Sequence, residues 1–105
     1  MNAETKHTPG PWSRAPYINS HAQSLTVVDV EGSEVATVRG WDGDGDHREA
    51  DAHLIAAAPD LLEALRDVTD ALAEHLSDLG RDHPEQAPRV QRARAAIAKA
   101  TGAGA

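Results

Sequence analysis

Three aspartates at alternate positions, Asp42, Asp44 and Asp46, have a spacing that could do chemistry, because an EF-hand calcium loop sets carboxylates at its first, third and fifth positions. The reading fails downstream. That loop needs glycine next and a bidentate glutamate at its twelfth position, and this sequence has His47 and His53 there. The segment from Gly40 to His47 then reads as a solvated loop whose last aspartate, at about Asp46, caps the following helix by accepting from its orphan N–H groups. Of the six histidines, His47 is four residues from Asp51 and could share a helix face with it. A zinc site wants three or four converging ligands, however, and neither HExxH nor a paired Cys/His spacing occurs. Ser13, Ser20, Ser24, Ser33 and Ser77 sit in no nucleophile elbow, and no glycine-rich phosphate loop is present. The expectation is no metal, no cofactor and no enzymatic activity.

The stretch that would position any site is Glu49 to Leu65, EADAHLIAAAPDLLEAL. Alanine at 50, 52, 56, 57 and 58 favours helix and lets another backbone approach closely. Pro59 lacks an N–H and disfavours helical geometry at Ala58, so a helix at about 48–58 is expected to end or kink there and a second, about 59–79, to begin. In the second, Leu61, Leu65, Val68, Leu72, Leu76 and Leu79 recur at spacings of three and four as one apolar stripe. Upstream, His7 to Trp12 packs two prolines around a glycine and is extended or turning. Trp12 to Arg14 starts a strand that Ala15-Pro16 interrupts and Tyr17-Ile18 resumes, and Pro16 either confines it to an edge or breaks it. Leu25 to Val30, a Glu31-Gly32-Ser33 turn and Val35 to Arg39 form a β-hairpin at about 25–39. Downstream, Gly80 terminates the long helix and Pro88 opens a last one at about 88–100. The 59–79 helix carries six acids against Arg66 alone, whereas Arg89, Arg92, Arg94 and Lys99 follow Pro88 with no acid, so these two helices attract as an antiparallel hairpin. The expected fold is α+β: a small antiparallel sheet followed by two to three helices in a single domain, with 1–6 and 101–105 mobile.

The 105 residues allow one modest core. Two Trp, one Tyr and no Phe leave that core to small aliphatics, and the alanine-rich helix and leucine stripe offer more apolar surface than one hairpin covers. A homo-oligomer built from twofold dimers follows as an expectation. The formal charge of −7 argues against a sequence-independent grip on nucleic acid, and the absence of cysteine excludes disulfide and thiolate chemistry. No signal peptide or membrane-length apolar run is present, so a cytoplasmic location in the bacterial host cell is expected.

HTPGPW at 7–12, a hairpin, and ADAHLIAAAPDLLEAL at 50–65 together resemble a class of short phage and prophage proteins. That class pairs an N-terminal His-Thr-Pro-Gly-Pro-Trp with a later Ala-Asn-Ala-x-Leu-Ile-Ala-Ala-Ala-Pro-x-Leu-Leu-x-Ala-Leu. The sheet-then-helices layout is similar, more loosely, to phage anti-defence sponge proteins that sequester cyclic ADP-ribose isomers or cyclic oligonucleotides. The resemblance implies an oligomer that buries a signalling nucleotide without cleaving it. On that reading Trp12 or Trp41 stacks on a base, Arg39 and Arg48 neutralise phosphates, and His47, Asp51 and the helix-start N–H groups complete the site. Asp51 departs from the asparagine of the pattern, and a carboxylate only accepts hydrogen bonds where an amide also donates. The same residues have a plainer use, with the tryptophans packed in the core and the arginines solvated. A different class of function also fits: a non-enzymatic accessory module that binds a host or phage protein through its helical face.

Overall fold

The structure, a computed structural model, describes residues 7–19, 24–39 and 47–103. The expectations placed on Trp41 and on Asp42, Asp44 and Asp46 lie outside these residues. The order of elements is β1 (Ser13–Asn19), β2 (Ser24–Val28), β3 (Glu34–Val38), α1 (Arg48–Asp78), a single 3-10 turn (Pro84–Gln86) and α2 (Pro88–Thr101). The chain divides into two compact units, Met1–Asp60 and Leu61–Ala105.

In the first unit the strands form an antiparallel sheet in the order β1-β2-β3. The hairpin stands where the β-branched runs put it. Its Asp29 carboxylate accepts from the N–H groups of Glu31 and Ser33, both at 2.9 Å, and Gly32 supplies the positive φ of 85° that the turn needs. β1 is an edge strand, and it runs through Pro16 because its pairing is broken there. Between the Arg14↔Val27 and Ile18↔Leu25 pairs β1 advances four residues while β2 advances two, so the proline falls where no ladder donor is required. A second irregularity leaves Val35 as an extra residue of β3, opposite the step from Val27 to Val28.

The core of this unit is Leu25, Val27, Val38 and Ala52, with Trp12, Val35, Ala36, Ile55 and Ala56 packed against it. Burying each large aliphatic stabilises by about 1.5–3 kcal/mol. Ala52, Ile55 and Ala56 follow the i, i+3, i+4 spacing of one helix face, and Ala52, with no exposure, has only a methyl group between the α1 backbone and the core. Arg14 pins the start of α1, donating from Nη2 to Glu49 Oε2 at 2.7 Å.

The expected break at Pro59 is corrected. α1 is one helix from Arg48 to Asp78 with Pro59 inside it, so the two elements expected at 48–58 and 59–79 are one. An interior proline forfeits one hydrogen bond, here to the Ile55 carbonyl, and costs about 3 kcal/mol. The tertiary structure gives it a contact in return: a methyl group placed on Gly10 would lie 2.9 Å from Pro59 Cβ and 3.3 Å from its Cγ. The proline therefore packs on the backbone of the His7–Trp12 segment, a contact between residues far apart in sequence that no local signal announces.

In the second unit, α1 ends at a Schellman cap. Gly80, at φ 78°, donates to Ser77 O at 3.0 Å and Arg81 donates to Leu76 O at 3.1 Å. Gly102, at φ 77°, ends α2. Arg94 holds the hairpin together: its Nη1 donates to Asp70 at 2.8 Å, while Nε and Nη2 form a fork on Glu85 at 2.9 and 3.0 Å. At 1.5 Å per residue Asp70 lies about 12 Å before the end of α1 and Arg94 about 9 Å into α2, so the helices run side by side in opposite directions. The buried positions are Thr69, Ala73 and Val90. The leucine stripe does not sink as one line: Leu61, Val68 and Leu79 are exposed, whereas Leu65, Leu72 and Leu76 are half-buried.

Candidate functional site

An open groove of 390 Å³ lies in the first unit between the end of β3 and the second turn of α1, lined by Thr37, Val38, Arg39, Asp51, Leu54 and Ile55. Strand alternation builds one wall. Val38 is buried in the core, so Thr37 and Arg39 on either side of it point the other way. The helix builds the other wall: with Ala52, Ile55 and Ala56 on the sheet, Asp51 stands about 90° round from that face and Leu54 further round, and both are exposed. Leu54 leaves 64% of its surface open, enough to offer an apolar platform at the mouth.

Arg39 and Asp51 are the charged side chains of the groove, and both are exposed. Among the described residues neither the Arg39 guanidinium nor the Asp51 carboxylate has a hydrogen-bond or ion-pair partner. The Thr37 hydroxyl donates to Glu34 Oε2 at 2.9 Å. A guanidinium, a carboxylate and three branched aliphatics in one cleft suit a ligand with an anionic group, a hydrogen-bond donor and a flat or apolar part.

Two of the six residues singled out from the sequence, Arg39 and Asp51, thus come together. His47 and Arg48 stand at the start of α1, where His47 O accepts from Asp51 N at 2.9 Å, and neither lines the groove. Trp12 packs half-buried on the core, donates from Nε1 to Thr8 O at 3.1 Å, and meets the His7 ring edge-on at 5.9 Å. That is the packing use of Trp12; it does not line the groove. Thr37, Leu54 and Ile55 were not among the residues singled out. The signal for Leu54 was available, since it falls one position before Ile55 on the helix and cannot share the sheet-facing line. Among the described residues no three potential metal ligands converge, and no helix is long and apolar enough to cross a membrane.

Fold and groove together describe a small α+β protein with a cleft of mixed polarity beside a sheet edge. Residues 1–104 match the family model of Salmonella phage P22 protein Y8K6, and the chain belongs to that family of phage proteins. No curated protein and no solved structure matches it.

Proposed function

We propose that the protein is a phage-encoded anti-defence protein that binds a nucleotide immune signal, a cyclic oligonucleotide or a cyclic ADP-ribose isomer, and sequesters it without cleavage in the bacterial host cytoplasm. The observation that carries the reading is the unpartnered Arg39 and Asp51 in one groove with Leu54 and Ile55. A nucleotide meets each of these demands. Its phosphate pairs with Arg39, a ribose hydroxyl or exocyclic amine donates to Asp51, and the base lies on Leu54. The carboxylate at 51 therefore suits the sugar or base end and keeps the phosphate at the arginine end. The groove is at the small end of ligand-pocket volumes, about 300–1,000 Å³, and a second subunit would complete the enclosure of a dinucleotide.

A thermal-shift screen against cyclic dinucleotides and cyclic ADP-ribose isomers tests the proposal. A ligand at a hundred times its dissociation constant adds about 2.7 kcal/mol of stability, so one compound should raise Tm, and that compound should be recovered intact after denaturation. A flat screen, or recovery of a cleaved product, would overturn it. A second reading, an accessory module that docks a host or phage protein through α1, has its own support in the exposure of Leu61, Val68 and Leu79.

A further inference from the structure

The helical hairpin of the second unit leaves one apolar side uncovered. Leu61, Val68 and Leu79 are 53%, 65% and 60% exposed, and Ala64 and Ala71 between them are exposed as well. Leu61, Ala64, Val68 and Ala71 are spaced three, four and three apart, the repeat of a helix-packing seam. On α2 the same spacing recurs at Ala93, Ala96 and Ala100, the last two exposed. At about 100° per residue the α1 seam lies about 140° round from its buried line, Thr69 and Ala73, and the α2 seam about 90° round from Val90. Both are displaced in the same rotational sense. Because the helices are antiparallel, that sense brings the two seams to one side of the hairpin.

We infer that this side is covered by a second copy of the chain, with α1 of each copy packed on α2 of the other in a twofold four-helix bundle. Charge selects this pairing among the three that a twofold axis permits. The outer edge of the α1 seam carries Asp67 and Asp78, and the outer edge of the α2 seam carries Arg92 and Lys99. Packing α1 on its own copy opposes acid to acid, and packing α2 on its own copy opposes base to base. The crossed arrangement sets each acidic edge against a basic one, and the alanines let the backbones come to the short end of the 8–10 Å helix-packing range. The pairing uses none of the groove residues and stands whether or not the groove takes a nucleotide.

Sedimentation equilibrium at micromolar concentration should return twice the chain mass, and Val68→Glu should return the single mass with its far-UV circular dichroism unchanged, since Val68 is open to solvent within the copy. The chain has no cysteine, so single substitutions report contacts cleanly. In a mixture, Val68→Cys copies should form disulfides with Ala96→Cys copies in preference to one another. A monomeric wild type, a Val68→Glu variant that keeps the double mass, or preferential self-crosslinking of Val68→Cys would each overturn the inference. The first of these would leave the face to a protein of different sequence.

Discussion

Gly10 and Pro59 form the tightest described contact between the chain's two distinctive motifs, and they show how one residue pair carries information that composition does not. No side chain fits at Gly10 while Pro59 is in place. Gly10→Ala should therefore destabilise by about 1–3 kcal/mol in urea unfolding, the usual cost of overpacking. Adding Pro59→Gly, which removes both the Cβ and the Cγ and restores a helix hydrogen bond, should recover much of that loss; strict additivity of the two changes would show that they do not touch. Arg94 makes a second residue-level prediction. Its hydrogen bonds, and then its charge, hold the Glu85 carboxyl below the ordinary carboxylate range, although solvent screens this exposed pair. A depressed folded-state value means that the contribution is complete above that range and is lost as pH falls through the folded value. Tm should thus fall more steeply below about pH 4 in the wild type than in Glu85→Gln, and identical slopes would remove the pair from the account.

At the scale of elements the sequence was legible wherever the signal was local. Turn residues bounded the hairpin, observed as β2 and β3 at Ser24–Val28 and Glu34–Val38. Pro88 opened α2, expected at about 88–100 and observed at Pro88–Thr101. Pro16 marked β1 as an edge or broken strand, and it is an edge strand. Gly80 marked the end of α1, and its left-handed φ gives a direct test. Gly80→Ala should cost about 1–2 kcal/mol, the penalty of a Cβ in that region, and Gly80→Asn should cost less. What was not legible depended on distant partners. Pro59 read as a helix break because its compensation comes from Gly10, 49 positions away. The leucine residues read as one apolar stripe, and spacing alone does not say which of its positions are covered: Leu65, Leu72 and Leu76 are half-buried, whereas Leu61, Val68 and Leu79 are exposed. The groove was half visible: Arg39 and Asp51 were singled out through the resemblance, while Leu54 and Ile55 are neighbours on the helix and the sheet fixes which of them faces inward.

At the scale of the whole molecule a formal charge of −7 sits badly with a grip on polyanions, and the proposed ligand is correspondingly small. One arginine facing one phosphate suffices for a nucleotide signal where a duplex would need a basic stripe. The chain belongs to a phage-protein family, and the proposal rests on Arg39 and Asp51 in the groove. Isothermal titration calorimetry of wild type and Arg39→Ala against the compound that raises Tm most is the most direct measurement of that claim. The account predicts saturable binding to the wild type, a loss of about 1.5–3 kcal/mol in Arg39→Ala for a charge-assisted hydrogen bond, and an unchanged number of subunits per assembly in the variant. Equal affinity in both proteins, or no heat with any cyclic nucleotide or cyclic ADP-ribose isomer, would contradict it.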